Sequence, residues 1–155
     1  MTLPFLLFYS GLSLALCWCD LRDGVLPDRL TCPLLWGGLL YYLCLDPAHL
    51  ELAAWGAIGG YLAFACLYWL YRGIRGYEGL GYGDVKLLAA LGAWHGWRVL
   101  PQLVLMATLL AGGVIVLRVI FARTRRSLSN PLPFGPFLAA AGFWCEWQTL
   151  VSQPL

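Results

Sequence analysis

Asp20 and Asp84 carry the chemistry in this chain. Asp20 closes the apolar run Leu3–Cys19, and Asp84 stands in Gly81-Tyr82-Gly83-Asp84-Val85-Lys86, at the start of a further apolar run. A carboxylate against hydrocarbon costs roughly 3 kcal/mol on insertion scales, so an acid in such a place marks a functional site by default. Two of them suggest one site. Two close carboxylates cannot both ionise cheaply and share a single proton between them. Such a pair can hydrolyse an amide with one water. The ionised member takes a proton from the water, and the protonated member supports the carbonyl oxygen or the leaving group. Being coupled, the two titrate as a unit.

The neighbours of Asp84 suit that use. Gly81 and Gly83 have no Cβ, so a substrate backbone can come close and the carboxylate can present at a turn. Lys86 is a supporting candidate that could screen Asp84, hold a substrate carbonyl or reach the membrane surface. Other acids compete with Asp20. Asp23-Gly24 reads as a turn. Asp28, after Pro27, can cap a short helical turn or pair with Arg29. Glu78 lies in a glycine-rich loop. Asp23, Asp28 and Glu78 are further candidates for substrate binding. His95 lies three turns beyond Asp84 and does not suit work with it. Asp46 and Glu51 read as helix-end residues, and Glu146 has no partner in sequence.

The elements that must position these residues are apolar. Of 155 residues, 61% are hydrophobic and 12% charged, with a mean hydropathy of +0.72. A soluble domain carries about 25% charged residues. The expectation is a single membrane domain over residues 1–155, and a net charge of +2 gives no argument for nucleic acid. Apolar segments fall at about Leu3–Cys19, Cys32–Leu45, Leu52–Tyr71, Val85–Trp97, Leu100–Phe121 and Phe134–Val151. A spanning segment must satisfy its own backbone hydrogen bonds, so all six are predicted to be helices. The fold class expected is all-α, about six transmembrane helices in one bundle. The second and fourth are shorter than the roughly 20 residues that cross a bilayer. They must extend into flanking polar residues or end inside the protein. The first segment has no basic residue before Arg22 and no A-x-A-like cleavage site, so it reads as a retained helix.

Charge orients the bundle. Arg22 and Arg29 follow the first segment. Arg72, Arg75 and Lys86 follow the third. Arg118, Arg123, Arg125 and Arg126 follow or close the fifth. Arg98 alone, of the 10 basic residues, falls in an alternate connection. Positive-inside bias then puts these three connections in the cytoplasm and both termini outside, with Asp20 and Asp84 at the cytoplasmic ends of their helices. Trp18, Trp36, Tyr71 and Trp97 fit an interfacial belt. The six cysteines form no C-x-x-C pair and five lie in apolar runs, where a thiol acts as a small hydrophobe. Neither a metal nor another cofactor is expected.

Three stretches resemble the type IV prepilin peptidases, membrane aspartyl proteases with a G-x-G-D motif. They are the segment from Asp20 to Leu40, the segment from Gly81 to Trp94, and Pro133-Phe134-Gly135-Pro136-Phe137. The resemblance implies that Asp20 and Asp84 are the catalytic pair. It implies cleavage of the short basic leader of prepilins or pseudopilins at the cytoplasmic face of the bacterial inner membrane. The context is pilus biogenesis or type II secretion, with the lipid bilayer as the other partner. Long members carry a further cytoplasmic region with paired C-x-x-C motifs and methylate the new N-terminus. This sequence holds no such motif, so the resemblance extends to the peptidase and leaves methylation open. The alternative function is a small proton- or cation-coupled transporter using the same acids. A third reading is an inactive partner in an assembly machine.

Overall fold

The computed structural model describes residues 3–75, 81–121 and 133–152. Six α-helices follow in chain order: α1 (Leu3–Asp23), α2 (Asp28–Leu45), α3 (Leu50–Arg75), α4 (Tyr82–His95), α5 (Leu100–Phe121) and α6 (Gly135–Ser152), with one 3-10 turn at Pro47–His49. Among the described residues there is no strand. The all-α expectation holds. Among the described residues, three spans are long and apolar enough to cross a membrane, Leu3–Asp23, Pro47–Ile74 and Leu100–Ile120.

The helix ends follow from local chemistry. α1 runs on to Asp23 because Gly24 is the first residue able to leave the helix with positive φ (64°); its N–H donates to Asp20 O at 3.0 Å. Asp20 is therefore inside the last turn of α1. α2 begins at Asp28 after an extended Pro27, so it recruits the polar residues before Cys32. α4 has 14 residues, about 21 Å at 1.5 Å per residue, against about 30 Å of hydrocarbon. It stops at Gly96, φ 73°, whose N–H donates to Gly92 O at 2.8 Å.

α4 is short because it lies inside the bundle. Every residue from Leu87 to Trp94 is buried, as are Asp84 and Val85. Helices α2, α3 and α6 pack around it, α1 packs on α2 and α6, and α5 packs on α6. Small residues allow that crowding. Gly56 of α3 meets Gly92 of α4 backbone to backbone, and a methyl group at Gly60 would lie 2.8 Å from Leu88 O. On the α2 side, Trp94 fits over Gly37 and Gly38. Its Nε1–H donates to Leu34 O at 2.7 Å, and Tyr42 donates from its hydroxyl to Trp94 O at 2.8 Å. The indole is thereby buried without an unsatisfied donor. Trp18, Trp36, Tyr71 and Trp97 all face outward. Cys145 is buried, Cys17 and Cys19 are half-buried, and Cys32, Cys44 and Cys66 are exposed. Apolar helices in a bundle have a lipid side as well as a core side, and sequence cannot tell which a thiol takes.

Candidate active site

The buried residues of α1 are Tyr9, Ser13, Leu16 and Asp20. Their spacing of four, three and four puts them on one helix face. The same face that packs the core thus carries Asp20 inward at its last turn. α4 presents Asp84 in its first turn. Both residues are 6% exposed, and Asp84 lies within electrostatic range of Asp20. At the other end of these helices, the Tyr9 hydroxyl and His95 Nε2 are hydrogen-bonded at 3.2 Å. Tyr9 and Asp20 are separated by about 16 Å along α1, and so are Asp84 and His95 along α4. The Tyr9–His95 hydrogen bond and the nearness of Asp20 to Asp84, at matching separations, mean that α1 and α4 run antiparallel, with the aspartates at one end.

Other groups hold the pair in place. Gly135, the first residue of α6, donates its N–H to Asp20 Oδ2 at 2.9 Å. The Asp84 N–H donates to Gly81 O at 3.0 Å, which starts α4. A methyl group at Gly81 would lie 3.2 Å from Asp84 Oδ2. Asp84 Oδ1 is buried and meets no hydrogen-bond partner among the described residues. The site therefore has three helix ends around two acids, one of them held by an amide.

The remaining candidates divide. Gly83 does not open the site to a substrate backbone. A methyl group there would lie 2.8 Å from Leu26 Cβ, so its bareness lets the 24–27 connection pack against α4. Lys86 is not beside Asp84 in an ion pair. Its Nζ lies 2.6 Å from Asp28 Oδ1 and over the Tyr82 ring at 5.4 Å. Asp28 accordingly pairs with Lys86 and not with Arg29. The fold places the start of α2 beside the start of α4, and a short path to a lysine wins over the nearest charge in sequence. Asp23 is exposed, 3.9 Å from Arg22 Nε. Glu78 lies outside the described residues. Among the described residues no three His, Cys, Asp or Glu side chains gather into a metal-binding group.

Sequence reasoning gave His95 and Glu146 no role. They meet at the far end of the bundle, His95 Nδ1 3.9 Å from Glu146 Oε2, both buried. The Gly135 amide was also missed as a partner of Asp20, although Pro133-Phe134-Gly135-Pro136 is a recognisable helix start.

Comparison with known proteins decides the family. The sequence profile of the type IV leader peptidase family matches residues 7–117. The chain belongs to the type IV leader peptidase family. It is 56% identical over 151 residues to leader peptidase HopD of Escherichia coli, covering 97% of each chain. It is 58% identical over 147 residues to leader peptidase HopD of Salmonella typhimurium, covering 94% of each. It is 54% identical over 129 residues to the prepilin leader peptidase/N-methyltransferase of Burkholderia pseudomallei, covering 83% of this chain and 41% of that longer protein. No solved structure matches. Like its family, with long apolar helices and this composition, it is a multi-pass protein of the bacterial inner membrane.

Proposed function

We propose that this protein is an aspartic endopeptidase that removes the basic leader of type IV prepilins or pseudopilins, with Asp20 and Asp84 as its catalytic residues. The observation that supports the reading is that two buried aspartates, one from α1 and one from α4, lie within electrostatic range of each other in a chain of the leader peptidase family. A water between the carboxylates loses a proton to the ionised one as its oxygen bonds to the scissile carbonyl carbon. The protonated carboxyl gives its proton to the departing amine as the C–N bond breaks. Proton count is conserved over the cycle, and the pair is reset by transfer within it. Only the peptidase step is assigned.

The basic connections favour the aspartate end of the bundle at the cytoplasmic face and the termini on the other side. There a leader emerges from the membrane just before its hydrophobic segment. A basic leader would find negative charge at Asp28 and Asp23, and at Glu78 by its place in the sequence. The transporter reading is not favoured, because the family is one of peptidases.

The test is cleavage by the purified full chain in detergent, with a full-length prepilin as substrate and mass spectrometry of the product. The expected result is a new N-terminus at the boundary between leader and hydrophobic segment. An intact prepilin after incubation with folded protein would refute the reading.

A further inference from the structure

We infer that Gly135 is a positioning residue for the aspartate pair: its amide fixes Asp20 as the hydrogen-bond acceptor and thereby leaves the shared proton on Asp84. This rests on the two-aspartate reading and divides its roles. A backbone N–H can only donate, so Asp20 Oδ2, at 2.9 Å from it, is an acceptor, and the ionised carboxylate accepts more strongly than a neutral carboxyl. The amide is the first of α6, whose N-terminal end favours negative charge nearby. The contact is also sterically exclusive. A methyl group at position 135 would lie 2.6 Å from Asp20 Oδ2 and 3.1 Å from its Cγ, so only glycine lets the amide and the carboxylate meet in this way.

Asp84 is situated differently. Its Oδ1 is buried with no donor among the described residues, a costly place for a bare carboxylate oxygen. A protonated carboxyl carries no charge there and so avoids the larger desolvation cost of a buried ion. Among the described residues, titratable groups stand near the pair on α1, α2 and α4. Cys17 lies one turn before Asp20 on α1, while Asp28 and Lys86 form an exposed pair between α2 and α4. α6 contributes the Gly135 amide. In the reaction, Asp20 then accepts the proton from the attacking water, and Asp84 delivers its proton to the leaving amine. The proton returns from Asp20 to Asp84 to close the cycle.

The proton's location is read directly by infrared spectroscopy of the folded full chain at its working pH. Glu146, also buried, contributes its own carboxyl signal and is replaced by Gln in each sample. The protonated-carboxyl C=O band is expected to disappear with Asp84→Asn and to persist with Asp20→Asn. The opposite pattern overturns the inference. This readout needs no substrate, so it stands apart from failure of the peptidase reading, which shows as an uncleaved prepilin. In kinetics, Gly135→Ala is expected to lower kcat on the order of 10²-fold, as loss of one preorganised donor does, with KM little changed. The acidic limb of its pH profile is expected to move up by about one unit, because Asp20 has lost the donor that favoured its ionised form. An unmoved acidic limb overturns the inference. If Gly135→Ala does not fold, the two Asn variants alone decide it.

Discussion

Asp28 Oδ1 and Lys86 Nζ lie 2.6 Å apart although 58 residues separate them in the chain. The pair ties the start of α2 to the first turns of α4, two residues beyond Asp84. Asp28 is 60% exposed, so the pair is solvent-screened and contributes only about 0–1 kcal/mol to stability. Its interest is as a polar handle beside the aspartates. Asp28→Asn is expected to leave thermal stability nearly unchanged. It is expected to raise KM several-fold for a prepilin with a basic leader and to spare one whose leader has been neutralised. Equal effects on both leaders would remove Asp28 from leader recognition.

The crossing of α3 and α4 is the tightest in the bundle, with Gly56 against Gly92 and Gly60 against Leu88 O. Enlarging these positions cannot be absorbed by a flexible side chain, since the neighbours are backbone. Gly60→Val is expected to lower stability by about 1–3 kcal/mol, as overpacking does. Gly112 and Gly113 on α5 have nothing within 4 Å, and Ala there is expected to be neutral or slightly stabilising. Thermal unfolding in a fixed detergent compares the three.

Tyr9 and His95 hold the far end of the same two helices. Tyr9→Phe removes a hydrogen bond and is expected to cost about 0.5–1.5 kcal/mol of stability. The site is about 16 Å away along α4, so kcat on a prepilin is expected to stay within twofold. A folded Tyr9→Phe protein with kcat lost would show that the far cluster takes part in the reaction.

Much of this was legible in the chain, and the misses have physical causes. Six apolar segments gave six helices because a buried backbone has no other way to satisfy itself. Leu100–Phe121 agreed at both ends. α1 outran its apolar stretch by four residues because backbone conformation, set by Gly24, ended it and not hydropathy. The pairing of Asp20 with Asp84 is an expectation from the cost of membrane acids, and the buried stripe Tyr9, Ser13, Leu16, Asp20 carries Asp20 inward on one helical face. The pairings of Lys86 with Asp28 and of His95 with Glu146 were not legible. In helices apolar on all sides, periodicity does not say which face turns inward, and each of these contacts depends on faces from two or more helices. Gly135 could be read as a helix start, but the oxygen its amide would reach lay 115 residues away.

The central claim is that Asp20 and Asp84 work as one unit, and a double-mutant cycle on prepilin cleavage measures that most directly. Asp20→Asn, Asp84→Asn and the double variant, each verified as folded, are assayed with the same prepilin. Residues that act as a unit are non-additive, so each single change is expected to remove as much activity as the double change. A single variant that keeps substantial cleavage, or losses that simply add, would contradict the account.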